Sequence, residues 1–334
     1  FEFDIMPRAG YFLSAKKLTG FFPSFMEYSR SYGFEWVQID LSGEPLDSQG
    51  EFDIIIHKVN LEIITESSET GAARRLRALE MYIASHPRTP IIDPLYGVRV
   101  VCDRLQLYRF LEGMSLSAPP HLCIKPLRFA LLHSFDNPRA ACIEAGLTYP
   151  IVCKTVVACS IGTSHDMAVA MNERGLLNCG LELPVIAQQY VNHRGVIHKI
   201  YVAGETWIAQ RRQSLRAMSE STDGHDLYKF NSQHPPLDLF PPIPSESGSG
   251  QVSPGPSSGA VCYIVDRVKA DLGLSLFGLD ILVDIDSGSC FVIDVNYFPA
   301  YEGVKNRNEL LLGHLQRQLN PTNHPVTLEH IPGS

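Results

Sequence analysis

Phe277-Gly278-Leu279-Asp280-Ile281-Leu282-Val283 and, shortly after, Phe291-Val292-Ile293-Asp294-Val295-Asn296 are two strongly apolar runs, each with an acid in mid-run. Asp286-Ser287-Gly288 between them has turn chemistry. The stretch therefore predicts a hairpin of residues 276–284 and 289–296. Side chains alternate faces along a strand, so Asp294 and Asn296 point the same way. With the turn centred on Ser287, Asp280 falls opposite Asp294, where Cβ atoms lie roughly 5 Å apart. Two carboxylates that close repel, and leaving them unpaired in a half-buried sheet is costly. A divalent cation removes that cost. An all-oxygen set whose third member is an amide suits magnesium rather than zinc. The competing reading is that the acids cap turns or pair with Lys or Arg.

Working outward, residues 9–13, 35–41, 52–59 and 90–94 read as strands, and residues 21–32 and 71–86 as helices. Residues 52–59 (FDIIIHKV) hold the continuous apolar run Ile54-Ile55-Ile56 followed by basic residues, as a strand buried on both faces does. Strand–helix alternation predicts a parallel α/β domain over residues 1–95. Beyond it a helix is expected over 98–113, then a Pro-rich turn at 118–120 and a helix over 137–145. Strands are expected over 149–154, 185–191, 196–202 and 206–212, and helices over 261–272 and 309–319. Residues 235–258 are rich in Pro, Ser and Gly and almost uncharged, and read as a flexible connector.

The 334 residues suit two or three packed subdomains. Apolar residues make up 45% and charged residues 19%, enough for a sizeable core and unlike a disordered chain. A net charge of −8 gives no overall attraction for nucleic acid or an anionic membrane. Cations for an anionic ligand must then be gathered in a cleft. The eight cysteines form no C-x-x-C pair, which predicts buried free thiols in a reducing compartment. No apolar run is long enough to span a bilayer, and residues 1–8 do not read as a secretory signal. A soluble cytoplasmic protein is expected.

Lys16 and Lys17 follow the first strand, where ligands of α/β sheets collect. Lys58 ends another apolar run beside His57. Lys154 and Lys199 each interrupt an otherwise apolar strand, and Arg104, Arg211 and Arg212 add guanidinium groups. The small-residue loop 158–165, ending in His165, lets backbone N–H groups approach phosphate. No Walker A motif occurs in the chain.

Together these residues resemble the inositol 1,3,4-trisphosphate 5/6-kinase (inositol-tetrakisphosphate 1-kinase) family of the ATP-grasp superfamily. The resemblance runs from Gly10 to about Leu319. It rests on Gly10-Tyr11-Phe12-Leu13-Ser14-Ala15-Lys16-Lys17, Ile55-Ile56-His57-Lys58, Asp93-Pro94, Asp103-Arg104 and Cys153-Lys154-Thr155. Ser164-His165-Asp166-Met167, the two acidic runs and Phe298-Pro299-Ala300-Tyr301-Glu302-Gly303 complete it.

The resemblance implies an α/β (α+β) ATP-grasp fold. Its N-terminal parallel domain would span residues 1–95. Two antiparallel-sheet subdomains, 96–190 and 191–325, would enclose ATP. It further implies a monomeric ATP-dependent kinase of inositol polyphosphates, with two magnesium ions on Asp280, Asp294 and Asn296. Arg104, Lys154, Gln188, Gln189, Tyr190, Val191, Lys199, Ser214 and Ser232 would contact ATP. Lys17, Lys58, His165, Lys199, Arg212, Asn296 and Ala300 would hold the inositol phosphate, with Ala300 standing where the family usually has Gly. Lys199, Asp294 and Asn296 would act at the transferred phosphoryl group. Two other readings share parts of this pattern. A carboxylate-amine ligase would need the hairpin but not Lys17 and Lys58. A non-catalytic inositol phosphate binder would have no use for the metal ligands and Lys154.

Overall fold

The run Ile54-Ile55-Ile56 is fully buried, and a strand covered on both faces needs helices on each side. The chain supplies them as β1 (Arg8–Phe12), α1 (Ala15–Leu18), α2 (Phe22–Arg30), β2 (Glu35–Gln38), β3 (Ile54–His57), α3 (Asn60–Thr65), α4 (Thr70–Ser85) and β4 (Ile91–Ile92). The four strands are parallel in the order β2-β1-β3-β4. The computed structural model describes residues 6–43, 45–158, 162–218, 224–243, 254–321 and 329–331.

The helix expected over 98–113 is two helices, α5 (Leu95–Cys102) and α6 (Arg104–Leu116). Asp103 between them is extended (φ −115°, ψ 110°), and its carboxylate accepts from the backbone N–H of Leu105 at 2.8 Å and of Gln106 at 3.2 Å. An N-cap inside an unbroken apolar period restarts the helix without disturbing the period.

Two antiparallel-type sheets follow. They are built from β5 (Phe129–Leu132), α7 (Pro138–Glu144), β6 (Ile151–Thr155), β7 (Asp166–Ala170), α8 (Glu173–Leu177), β8 (Val185–Gln189), β9 (Val196–Ala203), β10 (Thr206–Gln213) and β11 (Leu227–Asn231). The remaining elements are α9 (Ser258–Leu272), β12 (Leu276–Val283), β13 (Cys290–Tyr297), α10 (Arg307–Leu319) and β14 (Glu329–Ile331). One sheet runs β11-β7-β6-β8-β5 and the other β13-β12-β9-β10-β14. The chain leaves the first sheet after β8 and returns for β11, so Leu227–Asn231 pairs with β7 although it lies beyond residue 190. Strands β5, β7 and β11 carry no clean alternation, and sequence reading missed them.

The connector expected over 235–258 is not loose at its start. Leu239 is buried, its carbonyl accepts from the Arg216 N–H at 2.8 Å, and Phe240 packs edge-on to Phe230 at 5.3 Å. Residues 244–253 of that stretch lie outside the described residues.

A continuous core joins the parallel sheet to the β9–β12–β13 sheet. It runs from Phe22 and Ile56 through Val98 and Leu107 to Ile200 and Phe277. Each such side chain stabilises by about 1.5–3 kcal/mol when fully buried, which fixes the two sheets against each other. Asp93 clamps the same junction: its carboxylate accepts from Ser275 Oγ at 2.5 Å and Leu276 N–H at 2.9 Å. Burial raises its pKa to about 6 against those hydrogen bonds. The seven described cysteines are free thiols. Among the described residues no helix is long and apolar enough to cross a membrane.

Candidate active site

The hairpin forms with Asp280 opposite Asp294 and Gly278 opposite Asn296. The register near the turn is different, with Val283 opposite Cys290 and Ile281 opposite Val292. A bulge at Ile293 shifts it by one residue. Without that bulge Asp280 would face Ile293, and Asp294 would lie on the other face of the sheet. Asn296 Nδ2 donates to Asp280 Oδ2 at 3.2 Å, which puts the amide and the first acid on one face. Asp294, two residues before Asn296, shares it.

Lys199 on β9 is the register partner of Asp280, and its Nζ donates to both carboxylate oxygens at 2.8 and 3.1 Å. Burial works against the Lys199 charge. Asp280, by charge and hydrogen bond, and then Asp294 outweigh it, and the pKa is raised. The competing reading, an acid paired with a lysine, is thus met at Asp280, alongside the three-oxygen face. Among the described residues no cluster of three His, Cys, Asp or Glu side chains could hold a metal. The candidate set is two acids and an amide.

Just past β13 the backbone turns, and its carbonyls receive cations. Lys58 Nζ donates to the carbonyls of Tyr297 (2.7 Å) and Phe298 (2.9 Å), and Lys17 Nζ to that of Pro299 (2.5 Å). Lys17 is buried between two rings, 4.4 Å from the centroid of Phe21 and 4.1 Å from that of Phe298, an arrangement that favours a cation. Burial, then the charges of Lys58, Arg307 and Lys16, push its pKa down to about 5, with Glu302 opposing. Left-handed backbone occurs at Phe298 (φ 39°) and Tyr301 (φ 52°). Ala300 lies outside that region, so its methyl meets no backbone strain. Arg212 Nη2 donates to the Glu302 carbonyl at 2.8 Å and so borders the same turn.

On the β5–β8 sheet, Lys154 Nζ donates to the Tyr108 hydroxyl at 3.0 Å, and that hydroxyl donates to Gln188 Oε1. The Ile293 carbonyl lies 3.4 Å from it. Tyr108 thereby joins the Lys154 strand, the end of β8 and the hairpin bulge. Sequence reading missed it. It sits four residues after Arg104 on α6, hence on the same helix face. Arg104 itself is buried, donating to the carbonyls of Thr155 (2.5 Å), Val157 (2.9 Å) and Ser164 (2.9 Å). In this structure it braces the loop after β6. Cys159-Ser160-Ile161 within that loop lie outside the described residues.

His165 ends that loop. Burial, with Arg104 and Lys16, lowers its pKa against Asp294 and Asp166, so it stands within electrostatic reach of the hairpin acid. Ser232 is exposed, its N–H donating to the His165 carbonyl at 2.8 Å. Gln189 accepts from Arg128 Nε at 3.1 Å, and the Tyr190 hydroxyl donates to the Arg216 carbonyl at 2.7 Å. Val191 is buried, and its carbonyl bonds His193 Nδ1 at 2.6 Å; the other ring nitrogen meets Ser214 Oγ at 2.8 Å. Ser214, buried just past β10, is held by this histidine.

A parallel sheet fixed to two antiparallel-type sheets, with acids on one and a lysine strand on the other, defines an ATP-grasp protein. Solved structures agree in fold. An ATP-grasp RimK domain protein from Sphaerobacter thermophilus superposes with a TM-score of 0.56 at 15% identity, covering 93% of this chain and 99% of its own. The ADP complex of N5-carboxyaminoimidazole synthetase from Staphylococcus aureus gives 0.59 at 13% identity, covering 98% and 81%.

Sequence relatives narrow the class. The model of the inositol 1,3,4-trisphosphate 5/6-kinase ATP-grasp domain matches residues 121–317, and that of the pre-ATP-grasp domain residues 8–98. Inositol-tetrakisphosphate 1-kinase of Danio rerio is 32% identical over 93% of this chain and 79% of its own. Its Xenopus laevis counterpart is 32% identical over 92% and 78%, and inositol-tetrakisphosphate 1-kinase 2 of Glycine max 30% over 88% and 89%. The chain belongs to the inositol 1,3,4-trisphosphate 5/6-kinase family, whose activity is ATP-dependent phosphorylation of inositol phosphates.

Proposed function

We propose that this chain transfers the γ-phosphoryl group of ATP directly to a free hydroxyl of a soluble inositol polyphosphate. The acceptors are inositol 1,3,4-trisphosphate, at its 5/6 position, and inositol 3,4,5,6-tetrakisphosphate, at its 1 position. The observation that carries the reading is the meeting of two unlike charge sets along one strand. Asp280, Asp294 and Asn296 share a face of the β12–β13 hairpin. Lys58 and Lys17 close on the carbonyls of Tyr297, Phe298 and Pro299 directly after it. A carboxylate-amine ligase would need the first set and not the second.

The two acids and the amide fit magnesium in chemistry and in shared face. They would hold two ions, which would supply charge neutralisation at the terminal phosphates of ATP. Lys154 and Arg104 lie on the nucleotide side, Arg104 through the loop it braces. Gln188 and Gln189 end β8, Tyr190 and Val191 follow it, Ser214 bonds His193 just past β10, and Ser232 follows β11 against the His165 carbonyl; these would line the nucleotide. Lys17, Lys58, His165, Arg212, Asn296 and the Ala300 backbone face the inositol phosphate. Lys199, within reach of Asp280 and Asp294, stabilises the group in transit. Loose phosphoryl-transfer transition states need little base assistance, so holding two polyanions in line is the main work of these cations. We further propose a cytoplasmic monomer, in keeping with the free thiols among the described residues and the net charge of −8.

Incubation with ATP, magnesium and a panel of inositol phosphate isomers, with amino acids as control acceptors, tests it. New inositol phosphates resolved by chromatography are expected. ATP turnover on an amino acid alone, or on nothing, breaks the reading.

A further inference from the structure

Three cations, not two, converge on the turn after β13. Lys58 takes the carbonyls of Tyr297 and Phe298, and Lys17 takes that of Pro299. Arg307, the first residue of α10, points Nη1 at the next carbonyl, Ala300, at 3.4 Å. Four successive carbonyls thus carry a row of two lysine amino groups and a guanidinium.

Arg307 is underused where it stands. Its guanidinium lies 4.5 Å from the centroid of Phe21, the ring that also holds Lys17 at 4.4 Å. Its Nε is buried and has no hydrogen-bond partner among the described residues, and no carboxylate pairs with it there. A guanidinium carries five donors suited to bidentate phosphate binding, and here the long bond to Ala300 is weak. Like charges held on one ring repel unless an anion comes between them. The depressed pKa of Lys17 reflects burial and then the nearby charges, Arg307 among them.

We propose that Arg307 is a specificity-determining residue of the acceptor site, binding one phosphate of the inositol polyphosphate beside Lys17 and favouring acceptors with four phosphates over those with three. The inference rests on the kinase reading above. A bound phosphate would offset the burial and like charges that lower the Lys17 pKa, so that Lys17 and Lys58 then supply two point charges. The fixed guanidinium next to them gives the additional phosphate of a tetrakisphosphate a partner that a trisphosphate leaves unfilled.

The test compares wild type, Arg307→Gln and Arg307→Lys on inositol tris- and tetrakisphosphates, with KM for ATP measured alongside. Loss of a charge-assisted phosphate contact raises KM about tenfold to hundredfold. For Arg307→Gln that rise is expected on the tetrakisphosphate, with a smaller one on the trisphosphate and KM for ATP unchanged. Arg307→Lys restores part of the loss, since charge returns without the fork. If Arg307→Gln does not fold, Arg307→Lys carries the comparison, and calorimetric binding of the tetrakisphosphate without ATP must weaken with it. Unchanged acceptor KM, an equal loss on both acceptors, or a matching rise in KM for ATP overturns the proposal. Wild type inactive on every inositol phosphate breaks instead the kinase reading on which it rests.

Discussion

The two halves of one short segment work in opposite ways. Up to Asn296 the hairpin presents chemistry in its side chains: Asp280, Asp294 and Asn296 face one way. From Tyr297 to Ala300 the chemistry is in the backbone, whose carbonyls receive Lys58, Lys17 and Arg307. The first half gathers anionic groups fit for metal, and the second gathers cations fit for phosphate. On the proposed function, strand and turn would divide the labour of bringing two polyanions together. A ladder spends its carbonyls on its neighbour, whereas a turn in left-handed backbone, as at Phe298 and Tyr301, frees them.

The hairpin half breaks most sharply at Asp294. Asp294→Ala should cost about 10³-fold or more in kcat, the scale of losing several kcal/mol of charge stabilisation. The thermal midpoint should stay within a few degrees, because the side chain is half-exposed and outside the core. Near-normal turnover would overturn the metal assignment. The turn half should respond differently. Lys58→Met is expected to raise KM for the inositol phosphate about tenfold to hundredfold while KM for ATP moves little. Steady-state kinetics with each substrate varied in turn distinguishes the two. If ATP and inositol phosphate suffer alike, the division of labour fails.

The smallest effect concerns what lies beneath the turn. His57 is buried, its Nε2 against the Asp93 carbonyl at 2.6 Å and its own carbonyl accepting from Tyr297 Oη at 2.6 Å. Burial lowers its pKa from 6.5 to about 4. The unfolded chain therefore binds this proton at higher pH than the folded one. Stability is fully present above pH 6.5 and is lost as pH falls toward 4. His314, also buried, is lowered to about 3 and adds the same sign; Asp93, raised to about 6, opposes. Denaturant midpoints should fall between pH 7 and pH 5, with a share of about 1–2 kcal/mol from His57. His57→Gln should flatten that slope. A midpoint that holds or rises on acidification would show that Asp93, not the histidines, governs the junction.

Much of the hairpin was legible because its signal is local. An acid in an apolar strand is rare enough to notice, and alternation says which residues share a face. Even there the expected pairing of Asp280 with Asp294 assumed a turn centred on Ser287. The observed turn begins from a different register, and the bulge at Ile293 restores the pairing. Lys154 and Lys199 stood out for the same local reason. Arg104 stood out too, but its guanidinium is spent on the carbonyls of the loop after β6, something only the folded loop reveals. Tyr108 and Arg307 carried no signal beyond an amphipathic helix. Each matters through partners 46 to 185 residues away for Tyr108 and through Phe21, far earlier in the chain, for Arg307.

By itself, then, the sequence determined the parallel first domain, the acidic hairpin and the identity of most charged groups, because periodicity and an out-of-place polar residue are properties of neighbours along the chain. Tertiary structure alone decided that β11 returns to the β5–β8 sheet, that Ile293 bulges, and that three cations meet one run of carbonyls. Those outcomes depend on which distant surfaces pack together, and hydrogen-bond partners drawn from separate domains leave no pattern in either domain's own residues.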